Sequence, residues 1–177
     1  LAPRLRAWDV NVTWPGGKSV FFQSIRVQPA WSLAWLRGAP ALWIALRLPP
    51  GEVSGLVLGG DTPSFDGSLR QIALALLPLQ EIAPGFQLDG RVDATIDVTL
   101  TEAGPQGSAR FEAKQGSLTL PVLPIGIPFD ELAGDFGFGD ETLASVNAFD
   151  LAGPLVALTA SGTVGRDADS DLAPLAL

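Results

Sequence analysis

The alternation of apolar and polar residues is most regular over residues 88–100, LDGRVDATIDVTL. Its apolar positions are Leu88, Gly90, Val92, Ala94, Ile96, Val98 and Leu100. Because successive side chains of a strand point to opposite faces, this pattern predicts one long strand with an apolar face and a polar face. A strand with one solvent-exposed face packs against the protein interior only through its other face. This arrangement is common in antiparallel sheets, whereas parallel sheets are usually covered on both faces.

Shorter segments with the same alternation lie on both sides of this strand. Further strands are expected at residues 9–14, 20–27, 42–48, 52–59, 107–114, 117–120, 129–138, 142–151 and 155–164. Turn signals made of proline and glycine separate them. Residues 68–77 fit either a strand or a short helix, and the prolines of residues 121–128 predict an extended edge or a loop.

Two segments interrupt the alternation with helix-like composition. Residues 29–38 begin with proline, are rich in alanine and leucine, and end with glycine, which predicts a helix of about two turns. Residues 78–84 predict one further helical turn. Trp31 and Trp35 share a face of the first helix, and with Trp43 they are expected to close one end of the sheet as core. A position at a membrane interface, where tryptophan concentrates, is the alternative.

Glycine recurs near the start of several alternating segments, at Gly55, Gly90, Gly107 and Gly162. Glycine inside a strand marks a bend or a bulge, and repeated bends make a sheet curl. The predicted fold is therefore all-β: a curved, mostly antiparallel sheet with one or two short helices, in one domain over residues 1–177. Its groove or core is expected to be lined by Val92, Ala94, Ile96, Val98, Leu100, Phe111, Leu118, Leu120 and Phe136.

Composition narrows the possible chemistry. The chain is 47% hydrophobic and 17% charged, which is typical of a folded domain. Its net charge of −8 argues against binding to nucleic acid or to acidic membrane surfaces. There is no cysteine and no histidine, so thiolate chemistry and the commonest general base and transition-metal ligand are excluded. An enzyme is therefore not expected, and neither is a cofactor.

The acidic residues do not suggest a metal site. Asp89, Asp93 and Asp97 share one face of the long strand, but they are about 13 Å apart at each step by strand rise, too far to hold one ion. They are interpreted as a solvated face with Arg91 as the countercharge. A second acidic group, Asp135, Asp140 and Glu141, lacks the ligand order of a calcium loop. The glycine-rich run GDFGFG at residues 134–139 lacks the helix and the lysine of a phosphate loop.

Several segments together resemble a known family. They are LDG at 88–90, GSARFEAKQGSLTL at 107–120, IPFDEL at 127–132, LAGP at 151–154 and ASGTV at 160–164, with VQPAWSL at 27–33, RGAP at 37–40 and GEVSG at 51–55 nearer the start. This pattern of segments resembles that of AsmA-like periplasmic proteins and, more narrowly, that of the type II secretion system protein N family. The resemblance spans most of the chain and rests on glycines, prolines and alternation.

The resemblance implies a periplasmic domain anchored in the inner membrane by a helix that would precede Leu1, so the sequence is expected to be truncated. It implies a half-open barrel or groove, with the helix around residues 31–36 plugging one end. The expected function is that of a non-enzymatic component of type II protein secretion, with other secretion or envelope proteins as partners. The alternative is a lipid-binding or lipid-transfer module that holds acyl chains in a hydrophobic groove.

Overall fold

The computed structural model describes residues 4–13, 19–31, 35, 38–76, 87–120, 123–139, 144–164 and 175–176. Eleven strands make up almost all of this described chain. They are β1 Leu5–Thr13, β2 Ser19–Pro29, β3 Ala41–Leu48, β4 Gly51–Leu58, β5 Ser64–Ala73, β6 Gln87–Thr101, β7 Gly104–Leu120, β8 Leu123–Phe138, β9 Ala144–Ala152, β10 Ala157–Val164 and β11 Leu175–Ala176. The predicted all-β class is confirmed.

The strands form one sheet in the order in which they follow one another along the chain. Every pairing is antiparallel, from β1 with β2 to β10 with β11, so the sheet is a simple meander. The described part of β1 does not pair with β10 or β11, and the sheet is therefore open.

Helix is scarce in the described chain. Leu74–Leu76 form a 3-10 turn at the end of β5, so residues 68–77 resolve into a strand followed by this turn. Trp35 lies in a second 3-10 turn, but residues 32–34 and 36–37 of the predicted first helix lie outside the described residues. The helical turn predicted at 78–84 lies outside them entirely. None of the helical segments that the structure describes has the length and apolarity needed to cross a membrane.

The sheet is curved towards the apolar side of β6. Residues that pair directly across neighbouring strands point to the same face, so the apolar positions of β6 and their partners define one surface, which we call the inner face. Its most buried side chains are those of Phe22, Leu48, Ile72, Leu74, Val92, Ala113, Phe129, Leu132 and Leu151. A flat single sheet cannot remove side chains from water, yet Val92 is only 2% exposed. The sheet must therefore curl around this buried cluster.

Local breaks in the strands produce much of this curvature. Gln71 and Gln115 have positive φ angles of 53°, and Gly90 has a φ angle of 131°. The register of β5 with β6 shifts at Gln71, and that of β6 with β7 shifts at Gly90. Bulges of this kind bend a strand and increase its twist. They lie on neighbouring strands near the buried cluster, where the bend is needed.

The proline-rich segment lies within β8. In the first half of β8, Leu123 and Gly126–Phe129 pair with β7, whereas the pairing with β9 covers Glu131–Gly137. The first half of β8 is therefore an edge within the described sheet, and a proline such as Pro128 is tolerated there because an edge strand has amides that need no ladder partner. Of the two predicted alternatives, an extended edge or a loop, the described residues 123–128 form the extended edge.

Candidate functional site

The inner face is an unbroken apolar surface. One row of directly paired residues crosses the sheet from β1 to β10 through Ala7, Ile25, Leu46, Val53, Leu69, Ala94, Phe111, Gly134, Phe149 and Ala160. The next row runs through Leu5, Val27, Ile44, Gly55, Gly67, Ile96, Ala109, Phe136, Val146 and Gly162. Neither row contains a polar side chain.

Burial falls along the strands of this face. Val92 on β6 is 2% exposed, Ala94, Ile96 and Val98 are half-buried, and Leu100 is 51% exposed. Burial also falls towards β10, where Leu158 is 51% exposed although it pairs with Leu151 of the buried cluster. The inner face is thus closed around the buried cluster at one end, and it meets solvent at the other end.

Phenyl rings cover the glycines of the inner face. A Cβ atom added to Gly134 would lie 2.5 Å from Cε1 of Phe111 and 2.8 Å from Cε2 of Phe136. These two rings are stacked, with centroids 5.8 Å apart. Phe65 covers Gly67 in the same way, at 2.5 Å from the added Cβ. The space that small residues would leave is therefore filled by rings of the same chain, which produces a smooth apolar wall.

The residues predicted to line the groove mostly fall on this face. Phe111 and Leu118 pack against the buried cluster, and Phe136 stacks on Phe111. Leu120 pairs with Leu123 at the end of β7, and its side chain lies outside the described part of the chain.

The tryptophans do not form a buried plug. Trp31 is 64% exposed and Trp43 is 43% exposed, so the core interpretation is wrong for both. Trp35 is half-buried, and its Nε1 donates a hydrogen bond of 3.0 Å to the carbonyl of Ala30. The rings of Trp31 and Trp35 are 4.9 Å apart.

The opposite surface, which we call the outer face, is polar over β5 to β9. Asp93 accepts hydrogen bonds from the amide and the side chain of Gln71, at 2.7 and 3.1 Å. Lys114 forms an ion pair of 2.7 Å with Glu112. These groups line a concavity of about 660 Å³ above the bulges. Their polar atoms bind one another, and no group of three acidic residues among those described is arranged to hold a metal ion.

A second polar network lies beside this concavity. The guanidinium group of Arg110 donates two hydrogen bonds to Asp135, and Nδ2 of Asn147 donates another of 3.1 Å to the same carboxylate. The bond from Arg110 and then that from Asn147 lower the pKa of Asp135. The side chain of Arg110 is 75% exposed and that of Asp135 is 25% exposed, and the network links β7, β8 and β9 on the outer face.

Sequence reasoning did not identify two features of this surface. The bulge at Gln71 carries no glycine or proline to mark it, whereas Gln115 is followed directly by Gly116. The second feature is a group of arginines on β1 and β2, whose alignment depends on the register of that hairpin.

Comparisons of this chain with protein-family models, curated proteins and solved structures gave no match.

Proposed function

We propose that this protein is a non-enzymatic component of the bacterial envelope that serves type II protein secretion by binding an apolar partner on its inner face. The observation that carries the proposal is the pair of polar-free rows that cross ten strands. The first row packs largely against the buried cluster, and the part of the apolar surface beyond it stays partly exposed, which is unfavourable in water and favours a covering partner. The resemblance of the sequence to the secretion family supplies the biological setting.

Binding by strand addition fits the same proposal. Within the described chain, β1 is an edge strand of nine residues, and Leu5 on it is 65% exposed. An exposed edge offers unpaired backbone groups to an extended segment of another protein, while pockets on alternate sides select its side chains. The inner face and this edge are continuous at Leu5, so an apolar peptide segment can use both.

Complementation of a deletion strain tests the secretion role. Ile96→Asp places a charge in the middle of the inner face, where Ile96 is half-buried among apolar neighbours. Thr95→Asp is the matched control, because Thr95 is exposed on the outer face of the same strand. We expect the control to restore secretion and Ile96→Asp not to restore it. Full secretion with Ile96→Asp at normal protein levels would contradict the proposal.

A lipid-binding module of the AsmA-like kind is the second candidate. The observation that favours it is the half-exposed stretch of the inner face beyond Val92, where Ile96, Val98 and Leu100 offer methyl groups to an acyl chain. The phenyl rings over Gly67 and Gly134 make this wall smooth, which suits a long flexible chain better than a branched ligand. In this second candidate function, the inner face binds a lipid acyl chain instead of a protein partner.

Native mass spectrometry after gentle extraction separates the two candidates. A lipid module should retain bound lipid, which Ile96→Asp should release and Thr95→Asp should not. A deletion strain should then show altered envelope lipids. A secretion component should instead co-purify with inner-membrane secretion proteins and leave envelope lipids unchanged when it is deleted.

A further inference from the structure

The outer face of β1 to β3 carries a cluster of arginines around a concavity. Arg6 and Arg26 are direct cross-strand partners, and both are exposed. They line, with Arg4 and Trp43, a concavity of about 240 Å³ on the side of the sheet opposite the apolar inner face. We call Arg4, Arg6 and Arg26 the arginine patch.

No carboxylate of the described chain neutralises this patch. The described ion pairs join Arg110 with Asp135 and Lys114 with Glu112, far along the sheet from β1. Like charges directly opposite each other across two strands destabilise a sheet. The pairing of Arg6 with Arg26 therefore destabilises the free sheet by charge repulsion. An anion bound between the two guanidinium groups would relieve this repulsion.

The distribution of charge along the chain makes the patch stand out. Residues 1–51 contain six basic residues and one acidic residue, which gives this part a net charge of +5. Residues 52–177 contain five basic and eighteen acidic residues, which gives them a net charge of −13. The two values add to the net charge of −8 for the whole chain. A strong asymmetry of this kind indicates a charged partner for the basic part. The net charge of −8 for the whole chain gives no sign of the basic residues in the first 51 positions.

Two exposed tryptophans lie beside the patch. Trp8, two positions after Arg6 on the same face of β1, is 64% exposed, and Trp43, which lines the concavity, is 43% exposed. Tryptophan beside arginine is typical of surfaces that lie in the headgroup region of a membrane, because the ring has an apolar body and a polar edge.

We propose that the arginine patch and its tryptophans dock the outer face of β1 to β3 onto a membrane surface rich in anionic phospholipid. The concavity between Arg4, Arg6 and Arg26 receives a lipid phosphate, and Trp8 and Trp43 enter the headgroup layer. The acidic outer face of β5 to β9 is repelled by the same surface, so only the β1 to β3 part of the outer face meets the membrane. This inference concerns the opposite face from the proposed function and does not depend on it.

A second copy of this chain is the other partner that charge would allow, since its acidic outer face is complementary to the patch. The membrane is favoured because an acidic protein surface would not account for the two exposed tryptophans, Trp8 and Trp43. Attraction to anionic lipid contributes about 1 kcal/mol for each basic residue near the surface. It also weakens as salt is added.

Vesicle binding tests the proposal. Phosphatidylcholine vesicles with and without phosphatidylglycerol are compared for the wild type, for Arg6→Gln with Arg26→Gln, and for the control pair Arg70→Gln with Arg91→Gln. The control arginines are exposed on the outer face of β5 and β6, and their loss changes the net charge equally. We expect salt-sensitive binding to anionic vesicles that falls about 30-fold in the patch variant. The control should change it less than about twofold.

Three results would overturn the proposal. They are a failure of the wild type to bind anionic vesicles at low salt, an equal loss in both double variants, and a wild-type dimer that the patch variant abolishes while vesicle binding persists. Because the patch is exposed, circular dichroism of the variant should be unchanged. Arg4→Glu gives an independent variant that reverses one charge of the patch.

Discussion

At Gly134 the rings of Phe111 and Phe136 leave room for a hydrogen atom only, since an added Cβ would lie within 2.8 Å of both. Gly134→Ala should force the stacked rings apart. Overpacking of this kind destabilises a fold by about 1–3 kcal/mol. The free energy of unfolding from urea titration is the measurement.

The control is Gly126→Ala on the same strand. An added Cβ there lies 3.6 Å from Cβ of Ser117, an ordinary contact, so stability should change by less than about 0.5 kcal/mol. Equal losses in the two variants would show that the rings do not set the requirement for glycine.

Asp135 gives a prediction about pH. The hydrogen bonds from Arg110 and Asn147 lower the pKa of this carboxyl below its usual value of 3.8. A carboxyl whose pKa is lowered by folding contributes stability above its unfolded pKa and loses it as the pH falls through the folded pKa. Arg110→Gln should therefore raise the pKa of Asp135 in a carboxyl NMR titration. The stability difference from the wild type should vanish in acid, and an unchanged pKa would contradict this assignment.

The faces of single residues could largely be predicted from the sequence. Alternation placed Val92, Ile96 and Phe111 on one side of their strands because side-chain direction has period two. Their degree of burial could not be predicted, because it depends on where the sheet curls. The alignment of Arg6 with Arg26 could not be predicted either, because it depends on the register of the β1–β2 hairpin, which alternation alone does not determine.

At the scale of the element, β6 changes from buried to exposed along one apolar face. Val92→Ala and Val98→Ala remove the same atoms from that face at two depths. Val92 is 2% exposed, so its truncation should destabilise the fold by about 2 kcal/mol through lost burial and a residual cavity. Val98 is half-buried, and its truncation should have less than half that effect. Equal losses in the free energy of unfolding, measured by urea titration, would mean that both ends of the inner face are buried to the same extent.

The strands themselves were predictable where apolar residues alternate without interruption, as they do in β3 and β6. Residues 68–77 were ambiguous because alanine and leucine suit both a strand and a helix, and pairing with β6 decides for the strand up to Ala73. The expected core position of Trp31 and Trp43 failed because aromatic content cannot distinguish a buried ring from an exposed one.

The whole molecule is a sheet whose strands pair only with their neighbours in sequence. In such an array stability comes from each strand and its two interfaces, as in repeat proteins. The central strands β5 to β9, which bear most of the buried cluster, should therefore be the most stable part. Strands at the open edges have one partner each, and opening them exposes less apolar surface.

Amide hydrogen exchange should show this gradient directly. Protection should be greatest in β6 to β8 around Val92, Ala113 and Leu132, and it should decline towards β1 and β10. Occupation of the inner face by an apolar partner should extend strong protection along the open ends of the same strands, because binding stabilises the bound state alone. Vesicle docking should instead protect β1 and β2 first. Uniform protection without a partner would contradict the neighbour-by-neighbour description, since it requires all strands to open together.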